Sequence, residues 1–391
     1  MKNLYSLRKA LLLPCMLLFA QMGAQTTIID SMKYGGITRN YRLYIPAIYK
    51  PAKAVPLIFN LHGLGSNAMQ QEYYGDFRPI ADTADFILCH PNGTVGSSGQ
   101  GWNNFGAVGQ GVDDVGFISA LIDTISKKYS IDAQRVFSTG MSNGGFMTYD
   151  LACYLNRRFA AVASVTGSMI ASHLSACNAQ HPTPVMEIHG TADPVVSYPG
   201  NGGIVASTHI DTLVKYWVKF NHCSLTPVVT QVPNTNTTDG CTAEHQVFNG
   251  GKNGTTVELF KIIGGGHSWP GAPVNTSNGP TNHDFSASKE IWRFFSQYRL
   301  NIVTGISERK TEELSLNLYP NPAGSGFEID FADADKADYT FHLFNSIGQE
   351  VMTQKATRAK TYISRGSLPS GLYTILVVGQ GSTLSKKVLF N

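Results

Sequence analysis

Short apolar runs recur along the first three quarters of the chain: PLIFNLHG, ADFILCHP, RVFSTG, FAAVASVTG, PVMEIHG and VELFKIIG, each closing at glycine or a polar turn. Runs this short and this continuously apolar predict strands buried on both faces, as in parallel sheets. Between them the apolar period changes. Ile118, Leu121, Ile122, Ile125 and Tyr129 share one helical face, as do Ile210, Leu213, Val214 and Trp217, and then Ile291, Phe294, Phe295 and Tyr298. Strands alternating with amphipathic helices predict an α/β fold with a mostly parallel, doubly wound sheet over residues 25–300. Asp113 and Asp114 open the first of these helices and are expected to cap it, with metal binding as the alternative.

The pattern then changes. Residues 301–313 are polar and short of large apolar side chains, as a linker would be. From 314 to 391 the chain reads as short alternating runs broken by turns, among them FEIDF, YTFHLF and GLYTILVV. That pattern predicts a small all-β sandwich of immunoglobulin-like type. At the other end, MKNLYSLRK precedes the apolar ALLLPCMLLFA, which reads as a secretory signal over 1–24. Cleavage is expected after Ala24, with Ala20 as the alternative, and Pro14 before Cys15 fits a lipidation site poorly.

Composition narrows the classes. The net charge of +3 comes without a basic run, so nucleic acid is not an expected partner. Export permits disulfides, and five cysteines follow the signal. Cys89 sits in an apolar run and reads as a buried thiol. Neighbours in sequence suggest Cys153–Cys177 and Cys223–Cys241, although sequence leaves the pairing open. No Cys/His spacing points to zinc, and neither a metal nor a cofactor is expected.

The chemistry starts at GMSNGG. Gly140-Met141-Ser142-Asn143-Gly144 has the spacing of a nucleophile elbow, a strand-to-helix turn that exposes a serine hydroxyl. A serine needs a base, and the base needs an orienting acid. In an α/β-hydrolase these follow in the order serine, acid, histidine, each in a loop after a strand. Asp193 in TADP and His267 in GGGHSWPG meet that order. The oxyanion hole would use the backbone N–H of Asn143 and that of Leu64 in NLHGLGS. His62 and His189 each precede a glycine at a strand end, and structural hydrogen bonding is their expected role.

LHGLGSNA, GWNNF, VDDVGFISALID, RVFSTGMSNGGFM, HGTADPVVSY and GGGHSWPG together resemble the secreted polyhydroxybutyrate depolymerase and feruloyl esterase group. These are α/β-hydrolases related to carbohydrate esterase family 1. The resemblance spans about residues 35–298. It implies Ser142 as nucleophile, Asp193 as acid, His267 as base, and Leu64 with Asn143 as oxyanion hole. It also places Trp102 and Trp269 at the border of the active site, with core packing as the alternative. Residues from about 314 resemble the C-terminal sorting domain of type IX secretion, through LYPNPAG, LFNSIGQEV, LPSGLYTI and KKVLFN. That implies the type IX machinery as partner and a place outside the cell or on its surface. A carbohydrate-binding module is the rival, weakened by the lack of tryptophan there.

The expected function is a secreted serine carboxylesterase acting on feruloyl or acetyl esters of plant cell-wall xylan. The alternatives are a polyhydroxybutyrate-type depolymerase, a serine peptidase of the same fold, and a non-catalytic surface-binding protein.

Overall fold

The six apolar runs lie side by side in one sheet. In the computed structural model they are the strands β3 (Val55–Leu61), β4 (Ile87–Pro91), β7 (Ile131–Met141), β8 (Ala161–Val165), β9 (Val185–Gly190) and β12 (Val257–Ile263). All neighbouring pairs among them are parallel, in the order β4-β3-β7-β8-β9-β12. Antiparallel strands extend the sheet to ten: β1 (Thr26–Tyr34) and β2 (Ile37–Ile45) beyond β4, and β11 (Thr242–Phe248) and β10 (Val228–Gln231) beyond β12. A two-stranded hairpin, β5 (Thr94–Gly96) and β6 (Gly99–Gly101), stands apart from it.

The structure describes residues 25–391 except 105–110, 202, 204–205, 276–277, 301–315, 332–338, 347–348, 357–359 and 380–381. The expected signal peptide and linker therefore lie outside the described residues.

Alternation along each strand builds two cores. On β3, Leu57, Phe59 and Leu61 point to one face and Ile58 to the other. The first face is covered by α3 (Asp114–Lys128), α4 (Asn143–Tyr154) and α6 (Ile210–Phe220), which contribute Phe117, Met147, Leu151, Leu213 and Trp217. The second is covered by α2 (Arg78–Ala84) and α7 (Ala287–Phe295), through Ala81, Ile291, Phe294 and Phe295. The remaining helices are α1 (Ala68–Tyr74) and α5 (Ala171–Ala176). Asp113 caps α3 by accepting from Gly116 N–H, as expected. Asp114 does not share that role; it is buried and pairs with Arg39 at 2.6 Å.

The chain divides into two compact units, 1–302 and 303–391. Among its described residues the second holds seven strands in two antiparallel sheets. One orders β13 (Leu316–Tyr319), β14 (Gly326–Phe331) and β17 (Lys360–Ser364). The other orders β16 (Glu350–Ala356), β15 (Tyr339–Phe344), β18 (Gly371–Gly379) and β19 (Ser382–Phe390). Phe327, Ile329, Phe341, Ile375, Val388 and Phe390 form its core.

Candidate active site

β7 ends at Met141 and α4 begins at Asn143, so Ser142 alone makes the turn. Its backbone sits at φ 55° and ψ −121°, a conformation that costs an L-residue about 1–3 kcal/mol. Two hydrogen bonds hold it there: Ser142 N–H donates to Val165 O at 2.9 Å, and Phe146 N–H donates to Ser142 O at 3.0 Å. The flanking glycines are required by close approach. A Cβ on Gly140 would lie 2.6 Å from the Gly144 carbonyl carbon, and one on Gly144 would lie 2.2 Å from Leu61 O. Ser142 is partly accessible, while Met141 and Asn143 on either side are buried.

Ser142, Asp193 and His267 follow the C-terminal ends of β7, β9 and β12, the same edge of the parallel sheet. Asp193 is fixed by its own turn, its Oδ1 accepting from Val195 N–H at 2.8 Å and Val196 N–H at 2.9 Å. Its Oδ2 accepts from His267 Nδ1 at 2.7 Å, with both side chains buried. Facing an acceptor, Nδ1 carries the proton, so neutral His267 has its lone pair on Nε2. Backbone bonds clamp the histidine loop: Gly266 N–H to Pro280 O and His267 N–H to Asn278 O, each 2.8 Å.

The backbone N–H groups of Leu64 and Asn143 have no acceptor among the described residues. Their surroundings are tightly bonded. His62 donates through Nδ1 to Gly63 O at 2.8 Å and accepts at Nε2 from Gly93 N–H at 2.9 Å. Burial lowers its pKa to about 4, so it is neutral at ordinary pH. Both His62 and His189 are in hydrogen-bonded structural positions. Asn143 and Asn104 bind each other reciprocally: Asn143 Nδ2 donates to Asn104 Oδ1 and Asn104 Nδ2 to Asn143 O, each at 2.7 Å. Asp114 extends the brace by accepting from Asn103 N–H at 2.8 Å while it pairs with Arg39.

Asn104, Asp114 and Arg39 were missed as site supports. Their partners lie 39 and 75 positions away, beyond any local pattern. The only trace in the sequence is the polar pair Asn103-Asn104 directly after Trp102.

Two expectations are corrected. Trp102 and Trp269 are only 0% and 1% exposed, so neither offers a face to a substrate. Trp102 braces the elbow instead, donating from Nε1 to His62 O at 2.9 Å and from its backbone N–H to Asn143 Oδ1 at 2.6 Å. Trp269 packs edge-on to Phe77 and donates from Nε1 to Ser288 Oγ at 3.2 Å. Among the cysteines, Cys153–Cys177 is a disulfide, tying α4 to the residue after α5. Cys223 and Cys241 are free, as is Cys89. They belong to the cores on opposite faces of the sheet, which rules out a bond between them.

Residues 39–226 match the family model for esterase PHB depolymerase, and residues 317–391 match that for a secretion system C-terminal sorting domain. The sorting domain places the chain outside the cell or on its surface. The first match takes in Ser142 and Asp193 and ends before His267. Feruloyl esterase C of Emericella nidulans is 32% identical over 240 residues, covering 56% of this chain and 79% of that one. The bifunctional acetylxylan esterase/xylanase of Neocallimastix patriciarum is 28% identical, over 70% of this chain and 36% of its own length. Feruloyl esterase B of Piromyces equi is 30% identical, over 57% and 41%. The chain thus spans well under half the length of these last two relatives. Among solved structures, acetyl xylan esterase from Aspergillus awamori shares the fold, with a TM-score of 0.50 and 14% identity over 70% of this chain and 99% of that one.

Proposed function

The chain belongs to the family that joins polyhydroxybutyrate depolymerases and feruloyl esterases, and on that premise we propose that it is a serine carboxylesterase working through an acyl-enzyme. The observation that carries the reading is the buried Asp193–His267 bond at the sheet edge where the strained Ser142 turn also lies. Ser142 Oγ attacks the ester carbonyl carbon while His267 Nε2 takes its proton. Asp193 holds the imidazole with Nδ1 protonated and balances the positive charge that forms. The carbonyl oxygen becomes an oxyanion facing the N–H groups of Leu64 and Asn143, each worth ~3 kcal/mol in such sites. The tetrahedral intermediate collapses, the alcohol leaves with the proton from His267, and an acyl-Ser142 remains. Water, deprotonated by His267, then attacks the acyl carbon, and the acid departs from regenerated Ser142.

The substrate class proposed is feruloyl or acetyl esters of plant cell-wall xylan, in keeping with the names of the relatives. A polyester substrate is the second reading, favoured by the name of the matching family model. The type IX secretion machinery is the proposed partner of the sorting domain. Purified protein offered methyl ferulate, acetylated xylan and polyhydroxybutyrate separates the substrates. Release of ferulate or acetate well above release of hydroxybutyrate is expected; the reverse order would replace the first reading with the second. Ser142→Ala should lose roughly 10⁶-fold in kcat on every ester. A near wild-type rate from that variant would end the nucleophile assignment.

A further inference from the structure

Behind Asp193 lies a second histidine with its own carboxylate. Glu187 and His189 stand two residues apart on β9, so both side chains project to the same face. Both are completely buried. His189 Nδ1 bonds Glu187 Oε1 at 2.8 Å, and its Nε2 donates to Val196 O at 2.8 Å. The same Nε2 is 3.5 Å from Asp193 Oδ2, the oxygen that accepts from His267. One carboxylate oxygen therefore faces two imidazoles. Tyr149 of α4 completes the row by donating to Glu187 Oε2 at 2.7 Å.

A buried carboxylate and a buried histidine are expensive to keep without a use, and the mechanism above employs neither. We propose that Glu187 and His189 form a buried charge pair that positions Asp193 and tempers its pull on the proton of His267. The inference rests on the triad reading given under the proposed function. Val196 O can only accept, so Nε2 keeps its proton. Tyr149 donates to Glu187, which favours the carboxylate and leaves a second proton on His189 Nδ1. Burial works against charge on both groups and raises the Glu187 carboxyl above its ordinary value; on His189 it is outweighed by Glu187, with Asp193 and Val196 O adding to it, and the imidazole is raised too. The positive end of the pair then faces Asp193. Other charged or titratable groups nearby are Lys261, the register partner of His189 on β12, and Tyr198, whose ring lies edge-on to His189 and whose hydroxyl donates to Asp211 of α6. The Lys261 Nζ lies 5.3 Å from the centre of the Tyr198 ring.

The direction of the effect separates this role from a merely structural one. Neutralising the pair unmasks the Asp193 charge toward His267, so the acid limb of kcat/KM should move to higher pH. Loosening Asp193 would weaken its support of His267 and move the limb lower or not at all. Glu187→Gln isolates the charge: the amide can donate to His189 Nδ1 and accept from Tyr149, so every hydrogen bond is retained. The expected result in the full-length protein is an acid limb raised by about half a pH unit or more, lower kcat near the limb, and unchanged KM at high pH. Tyr149→Phe keeps the ring in the core and weakens the carboxylate from a second side; a smaller shift of the same sign is expected. It decides the matter if Glu187→Gln does not fold. An unmoved or lowered limb in the folded variant overturns the proposal. Ser142→Ala distinguishes the two levels of inference: if it stays active the parent reading fails, and if it is dead while the limb is unmoved only the positioning role fails.

Discussion

Ser142 concentrates the conflict between stability and chemistry in one residue. Its φ of 55° suits glycine, and backbone bonds hold a residue with a side chain there, from Ser142 N–H to Val165 O and from Phe146 N–H to Ser142 O. Ser142→Gly should therefore abolish hydrolysis yet raise the unfolding free energy by about 1 kcal/mol, the released strain less the greater unfolded-state entropy. Calorimetry giving a lower melting temperature than wild type would show that the turn is unstrained. Asn104 stands one step back from the proposed oxyanion donor, holding Asn143 by two bonds. Asn104→Ala removes two buried bonds from Asn143 and leaves its Nδ2 only Trp102 O at 3.1 Å, and a kcat loss of about 10- to 100-fold with little change in KM is expected. Steady-state kinetics showing a KM effect alone would place Asn104 in substrate binding instead. His90 supplies a pH dependence. It is fully buried on β4, and burial lowers its pKa to about 4. The unfolded chain thus binds a proton between about pH 6.5 and 4 that the folded chain does not, so stability contributed by neutral His90 is lost as pH falls through that window. His90→Gln, which has no such group, should lose less melting temperature than wild type between pH 7 and 4.5. Parallel losses in the two proteins would contradict this.

At the scale of elements, the disulfide and the glycines act on α4 from opposite ends. Cys153–Cys177 closes a separation of 24 residues, and restriction of the unfolded chain makes it worth ~3 kcal/mol. A reductant should lower the unfolding free energy from denaturant titration by that amount, while Cys153→Ser should be insensitive to it. An equal response in both would assign the effect to other thiol chemistry. Gly144 fits α4 against the end of β3, where no Cβ has room. Helix α4 itself escapes the sequence pattern because it is buried nearly all round, so no apolar stripe distinguishes it. Helices α3, α6 and α7 have one buried face each, and their periodicity was legible for that reason. Strands β1, β2, β10 and β11 were not: they are short or half-exposed, and mixed burial blurs the alternation. Thus the parallel centre of the sheet could be read directly, and its antiparallel margins could not.

For the whole molecule, the separation into units carries a further expectation. Ser142, Asp193, His267 and the proposed oxyanion donors Leu64 and Asn143 lie in the unit ending at 302. A chain cut near Gly305 should hydrolyse a small soluble ester at an essentially unchanged rate and fail to leave a host with type IX secretion. Loss of the soluble-ester rate would make the second unit part of the site or its support. Loss of binding to insoluble xylan or polyester with export intact would make it a binding module.

Much of the candidate site was local information and so was present in the sequence: Gly-x-Ser-x-Gly, TADP and GGGH each mark a turn at the end of an apolar strand, and their order along the chain is the order the proposed roles require. The same holds for the parallel strands, whose continuous apolarity reports burial on both faces. Pairing across the fold is different in kind. Cys223 and Cys241 are near in sequence, yet the sheet lies between them. Trp102 and Trp269 sit in motifs beside the site, yet their rings turn into the interior. Arg39 with Asp114 and Asn104 with Asn143 meet through buried hydrogen bonds, and His189 comes within 3.5 Å of Asp193; buried polar groups must be satisfied wherever the backbone brings partners together. Local pattern records which side chains are buried or turn-forming; only the folded chain, by closing long loops around the sheet, selects which of them touch.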